Sequence, residues 1–176
     1  MARKKSQKES AADAAETARR APMREFSRSL PMSLLRAREA VMRQFRPSLR
    51  NHGLTEQQWR ILRALTAVDT IEVTELARVA FLLGPSLSRI LRDLEARKLI
   101  ERRTRHEDLR RHIVSITRKG VRLIEAVAPT SEAIYAEFTR RYGAAKLAEL
   151  QDMLQRLEIC LAAMPVRGDA EEADER

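Results

Sequence analysis

Gly84-Pro85-Ser86-Leu87-Ser88-Arg89-Ile90-Leu91-Arg92-Asp93-Leu94 is the stretch on which the reading of this chain turns. Gly84 is expected to supply a flexible corner, and Pro85 suits the first turn of a helix, where a missing N–H costs nothing. Leu87, Ile90, Leu91 and Leu94 recur at three- and four-residue spacing, the buried stripe of a helix ending near Lys98. Ser88, Arg89 and Arg92 fall on the opposite side. Two strand-like runs follow, Leu99–Thr104 and His112–Thr117, joined by a charged loop from His106 to Arg111. A hairpin, or wing, packed beside the helix is the economical arrangement.

Working outward, Leu76, Ala77, Val79 and Ala80 suggest a short helix before the turn Phe81-Leu-Leu-Gly84, and a β-branched link, Thr70–Val73, precedes it. Thr55-Glu-Gln-Gln58 reads as a capping box opening a helix with Trp59, Leu62, Leu65 and Ala67 on its apolar side. Upstream, Leu34, Ala37, Val41 and Phe45 mark an amphipathic helix over 31–51, bent or ended early by Pro47. Downstream, Thr117-Arg-Lys-Gly120 opens a long helical region with a bend expected at Pro129, divided by Tyr142-Gly143 from a last helix. In that helix Leu147, Leu150, Leu154, Leu157 and Leu161 alternate three- and four-residue steps, a coiled-coil-like seam that calls for a second subunit. Cys160 within the seam reads as a small packed hydrophobe rather than an oxidation sensor.

The fold class is therefore mainly α with a small β-hairpin wing: a winged helix-turn-helix domain plus a helical dimerisation region. The expected division is a disordered basic tail (1–28), an N-terminal dimerisation helix (29–53), a winged helix-turn-helix DNA-binding domain (54–118), C-terminal dimerisation helices (119–164) and an acidic tail (165–176). At 176 residues the chain is one domain with appendages. Residues 1–28 are rich in Ala, Lys, Arg and Ser and short of large apolar side chains, so ordering them recovers little buried surface.

Net charge is +9, and the segment 84–119 alone holds 11 Lys/Arg against 5 Asp/Glu. A concentrated excess of this kind points to a polyanion. No apolar run approaches the roughly 18 residues of a spanning helix, so no membrane partner is expected. No apolar block follows the basic N-terminus, so the protein is expected to stay in the cytoplasm. With Cys160 the one cysteine, neither an intramolecular disulfide nor a cysteine metal cluster can form. His106 and His112 beside Glu107 and Asp108 lack a fixed ligand spacing, so no metal is expected, and no cofactor. No glycine-rich phosphate loop, nucleophile elbow or paired-carboxylate arrangement is present, which argues against an enzyme.

Two helices joined by a tight turn, the second presenting small and basic residues, form a helix-turn-helix able to enter the major groove of double-stranded DNA. Ser86 and Ser88 can donate or accept at bases or phosphates, and Arg89 and Arg92 can grip guanine or phosphate. A sequence-nonspecific architectural DNA protein is the competing class.

Asp108-Leu-Arg110-Arg-His-Ile-Val114-Ser-Ile116-Thr117-Arg-Lys-Gly120 resembles the wing signature of the MarR family of winged-helix regulators, and Leu94-Glu-Ala-Arg-Lys-Leu99-Ile-Glu-Arg-Arg103 its recognition-helix exit, with Lys98 where Gly is usual. The resemblance covers about Leu30 to Met164. Within the family, Leu34-Leu-Arg-Ala-Arg-Glu-Ala40, Phe45-Arg-Pro47 and Leu54-Thr-Glu-Gln-Gln-Trp-Arg-Ile61 are similar to the homoprotocatechuate-degradation operon regulators. This implies a homodimer, a pseudopalindromic operator, and release from DNA when a small aromatic acid, phenolic or aryl carboxylic, binds; the genes controlled would serve aromatic catabolism. Asp108 and Arg110 are expected to pair and stiffen the wing, with Arg110 or Arg111 reaching the minor groove, and the resemblance carries Arg110 over directly.

A carboxylate effector needs a guanidinium, and its ring an apolar or stacking wall. The candidates are Arg38, Met42, Phe45, Arg46, His52, Trp59 and Arg60. The arginines could instead be surface charges, Trp59 ordinary core, and His52 a partner of the helix-end carbonyls. An aryl-CoA thioester or an oxidant is the alternative signal.

Overall fold

The computed structural model describes residues 25–105 and 108–165. Contacts divide the chain into two units, one ending at Gln44 and one beginning at Phe45. In the first, a 3-10 turn (Phe26–Arg28) precedes helix α1 (Leu30–Asn51), whose end from Phe45 belongs to the second unit. Arg36 donates to the Ser27 carbonyl at 2.5 Å, which ties the turn to the helix. The turn falls within the stretch expected to be a disordered tail; residues 1–24 of that tail, and 166–176 of the acidic one, lie outside the described residues.

Helix α1 does not stop at Pro47. It runs to Asn51 and is closed two residues later, where Gly53 takes φ 65°, its N–H bonds to the Arg50 carbonyl and the Leu54 N–H reaches back to Leu49. That pair of bonds satisfies carbonyls the helix end would otherwise leave open. Pro47 removes one helical hydrogen bond, but Phe45 and Leu49 on either side are buried and hold the turn.

The second unit continues with α2 (Glu56–Leu65), β1 (Ile71–Glu72), α3 (Val73–Val79), α4 (Gly84–Ala96), β2 (Ile100–Arg105), β3 (Asp108–Ile116), α5 (Arg118–Tyr142) and α6 (Ala144–Ala162). The capping box is formed: Thr55 Oγ1 accepts from the Gln58 N–H, and the Gln58 side chain accepts from the Thr55 N–H. The sheet is antiparallel in the order β1-β3-β2, with Ile71 and Arg102 on either side of Val114. The link at Thr70–Val73 is thus in part a strand. Two residues flanked by β-branched Thr70 and Val73 add a third strand to the expected hairpin because β3 offers them a free ladder.

Leu87, Leu91 and Leu94 of α4 are buried among Ile61, Leu62 and Leu65 of α2 and Leu76 of α3, with Leu99, Ile100 and Val114 continuing the core into the sheet. Ile90 is only half-buried, so the stripe is narrower than its spacing suggests.

The corner before α4 is not made by Gly84, which lies inside the helix. Phe81 makes it, at φ 49°. Helix α3 ends as α1 does: the Phe81 N–H bonds to Arg78 and the Leu82 N–H to Ala77. Helix α4 ends likewise, with Lys98 at φ 58°, its N–H on the Glu95 carbonyl and the Leu99 N–H on Leu94. Three helices thus share one closure, which forces its turning residue left-handed, and two of them use a residue with a side chain there at a cost of about 1 kcal/mol each.

Thr117 then joins three elements. Its N–H donates to the Leu99 carbonyl at 3.0 Å, its hydroxyl donates to the Lys98 carbonyl at 2.8 Å, and the same oxygen accepts the Gly120 N–H as N-cap of α5. Gly120 is packed so closely that a Cβ would fall 2.3 Å from the Leu99 carbonyl oxygen. Helix α5 continues through Pro129 to Tyr142, burying Ile124 and Val127. Gly143, at φ 96°, separates it from α6, which buries no residue within this chain. Leu150, Leu154 and Leu161 of the seam are exposed here, as is Cys160, so the expected packing of Cys160 is not made within one subunit.

Two substitutions test these closures by urea denaturation. Gly120→Ala must displace backbone and should lower stability by about 1–3 kcal/mol. Lys98→Gly should raise it by about 1 kcal/mol, because it relieves the left-handed strain without removing a packed side chain.

Candidate nucleic-acid interface

With Leu87, Leu91 and Leu94 fixed inward, the helical repeat turns Ser86, Ser88, Arg89 and Arg92 outward, and all four are exposed. Both carboxylates of α4 are engaged. Asp93 accepts from Gln58 Nε2 at 2.7 Å and lies 3.5 Å from the Arg97 guanidinium; Glu95 accepts from Arg102 Nε at 2.8 Å. Gln58 does this from a nearly buried position while it also completes the capping box, so one amide side chain fixes the start of α2 and the side of α4. Arg92 Nε leans on the Ser88 carbonyl at 3.4 Å, and no described side chain pairs with Arg89. The outward strip of α4 is left with a positive sign.

Two clefts flank that strip. One, of ≈ 490 Å³, lies between the start of α2 and α4 and is lined by Thr55, Gln57, Ser86 and Arg89. The other, of ≈ 340 Å³, lies between α4 and the sheet, with Ser88, Glu95, Arg102, Thr104 and His112 around it. The backbone of Asp108, Arg110 and Arg111 is strand β3. Their side chains lie outside the described residues, and with them the expected Asp108–Arg110 pairing. Arg103, on the other strand, pairs with Glu101 at 2.8 Å.

The effector candidates fall in both units. In the first, Arg38 donates to Glu39 at 2.8 Å and Met42 is half-buried. In the second, Phe45 is buried with its ring 5.3 Å from that of Tyr135 and 6.0 Å from Phe138, which are 6.2 Å from each other. Arg46 forms an ion pair with Glu56. His52 Nδ1 lies 2.8 Å from the Ser48 carbonyl, the helix-end contact that competes with a ligand role. Trp59 is half-buried beneath the Arg63 guanidinium, 5.9 Å from its centroid, and Arg60 donates to the Ala80 carbonyl at 2.7 Å, bracing the corner before α4. Sequence reasoning missed the Tyr135–Phe138 side of the aromatic cluster and the roles of Gln58 and Glu56. The three-residue helix spacing that puts Tyr135 and Phe138 on one side was readable, but their meeting with Phe45, 90 residues before Tyr135 in sequence, was not.

Among the described residues no group of three or more His, Cys, Asp or Glu could hold a metal, and no helix is long and apolar enough to cross a membrane.

This geometry has close counterparts. Residues 52–111 match the model of the MarR family. The homoprotocatechuate degradative operon repressor of Escherichia coli is 37% identical over 127 residues, 72% of this chain and 86% of that protein. The chain belongs to the MarR family. Its relatives in this family are transcriptional regulators rather than enzymes, and so is this MarR-type protein. Among solved MarR-type structures, NadR in complex with 4-hydroxyphenylacetate is 36% identical, with a TM-score of 0.68 over 78% of this chain and 97% of that one. The transcriptional repressor CouR, solved on a 23-mer DNA duplex, is 27% identical, with a TM-score of 0.70 over 78% and 98% of the two chains. The mainly helical winged-helix fold expected from the sequence is that of these MarR proteins; strand β1, which the sequence reading did not foresee, completes the sheet of this chain.

Because Gln58 is the donor that holds Asp93, Gln58→Leu should destabilise the protein by about 1–2 kcal/mol in urea titrations, whereas Gln57→Leu, an exposed neighbour, should change it by less than about 0.5 kcal/mol.

Proposed function

We propose that this MarR-family regulator is a cytoplasmic homodimeric repressor that binds a pseudopalindromic operator in double-stranded DNA and is released from it by a small aromatic acid, in control of aromatic-compound catabolism. The observation that carries the DNA half is the outward strip of α4: Ser86, Ser88, Arg89 and Arg92 exposed over a buried leucine stripe, with both carboxylates of the helix already engaged. In this reading α4 enters a major groove, Ser86, Ser88, Arg89 and Arg92 contact bases and phosphates, and the wing residues Asp108, Arg110 and Arg111 serve the adjacent minor groove. Residues 54–118 form the DNA-binding domain. Residues 29–53 and 119–164 form the dimerisation region, a division supported by the uncovered leucine face of α6.

The aromatic-acid half is supported by the 4-hydroxyphenylacetate complex of NadR and by the name of the Escherichia coli repressor. Arg38 and Met42 in the first unit, and Phe45, Arg46, His52, Trp59 and Arg60 in the second, remain the candidates to hold it. Ligand acts by binding the DNA-incompetent dimer more tightly.

Fluorescence anisotropy at one fixed salt concentration, on duplexes from upstream of the protein's own gene and its neighbours, tests the proposal. Those duplexes should bind at least ~10³ more tightly than random DNA, and one member of a panel of hydroxylated aromatic acids should release them. Arg92→Ala and Arg110→Ala should each weaken specific binding about tenfold or more with the dimer intact. Equal affinity for random DNA would indicate an architectural protein, and specific binding unmoved by the whole panel would overturn the effector class in favour of a thioester or an oxidant.

A further inference from the structure

Phe81 and Leu83 are the two most exposed large apolar side chains among the described residues, at 77% and 79%, and they stand together at the corner that launches α4. Their position is unusual on three counts. Leu83 occupies the N-cap of α4, where serine, threonine or aspartate would accept a hydrogen bond from the first turn; its side chain makes none. Phe81 holds a left-handed backbone that glycine adopts without strain. And neither lies in 29–53 or 119–164, the segments that the proposed dimer would use. Local stability is given up at two neighbouring positions to keep leucine and phenylalanine in water beside Pro85 and Ser86.

What covers such a corner must match both its apolar tip and the positive strip behind it, Arg89 and Arg92. Duplex DNA does so: its major groove carries thymine C5-methyl groups on the floor and phosphates along the walls. The first residues of a recognition helix are those that reach base edges. We propose that Leu83, set by the left-handed turn at Phe81, contacts thymine methyl groups at the edge of the operator half-site and so helps determine which operator is read. The inference deepens the reading of α4 as the DNA-recognition helix and rests on it.

The test is a cycle between protein and DNA. The probe is the duplex protected upstream of the protein's own gene, made once with thymine and once with deoxyuridine at every thymine position, which deletes only the methyl groups. Wild-type protein should bind the deoxyuridine duplex about fourfold more weakly for each methyl contacted, the worth of one buried CH₂ group. Leu83→Ser, which restores a capping hydroxyl and should melt no lower than wild type, should lose a similar factor on the thymine duplex and lose little more on the deoxyuridine one. Its slope of affinity against salt should equal that of wild type, because no phosphate contact is removed. If Leu83→Ser binds the thymine duplex as wild type does, or is penalised by deoxyuridine as much as wild type is, the proposal fails while the DNA-binding reading stands. If wild-type protein does not prefer its upstream duplex to random DNA, the underlying reading fails first.

Discussion

The Leu99 carbonyl is the point from which the rest of this molecule is set out. It accepts the Thr117 N–H and lies against Gly120 with no room for a side chain between them, while the Thr117 hydroxyl takes the neighbouring Lys98 carbonyl and caps α5. The exit of α4, the end of the central strand and the start of α5 are thereby held at one locus. The angle at which α4 presents its outer face follows from that knot and from the three leucines on its inner face. A rigid placement of this kind is what a recognition helix needs, since its side chains carry specificity only if the backbone fixes where they point.

Electrostatics completes the arrangement by pairing off the wrong sign. Segment 84–119 is strongly basic, yet its acidic residues would blunt any DNA-facing field if left outward. Asp93 is held by Gln58 and Arg97 at the cleft it shares with Arg89, and Glu95 and Glu101 each hold an arginine of β2. These exposed pairs add little stability. Their consequence is directional, leaving Arg89 and Arg92 to set the sign of the helix surface. Elsewhere on the surface, Arg140 and Arg141 together hold the Glu137 carboxyl down to about 2, an internal pairing of α5 remote in sequence from the recognition helix.

What was legible in the sequence was local. The capping box at Thr55 and Gln58, the Thr-x-x-Gly opening of α5, and the leucine stripe of α4 are each written within a few residues; the first two stand in the structure as read, and the stripe stands at Leu87, Leu91 and Leu94 but not at Ile90. The left-handed closure at Lys98 was visible only through its departure from a family pattern. Gly84 misled, because glycine signals a turn, whereas here the strain sits on Phe81 and Gly84 is helical. Strand β1 was too short to declare itself without its partner β3. The links of the candidate site span the chain: Gln58 to Asp93 crosses 35 residues, Arg60 to Ala80 crosses 20, and Phe45 meets Tyr135 from the far end of the unit. No periodicity encodes such meetings, which depend on how whole elements pack.

The central claim is that α4 presents the surface this regulator uses on DNA. Hydrogen–deuterium exchange of the full chain, with and without the duplex from upstream of its own gene at fixed salt, examines that surface without prior choice of residue. Protection on binding should centre on the amides of 84–96 and extend into the strands at 100–116, while the leucine-rich helix 144–162 exchanges as before. Protection that spares 84–96 and falls instead on 144–162 or another helix would contradict the account.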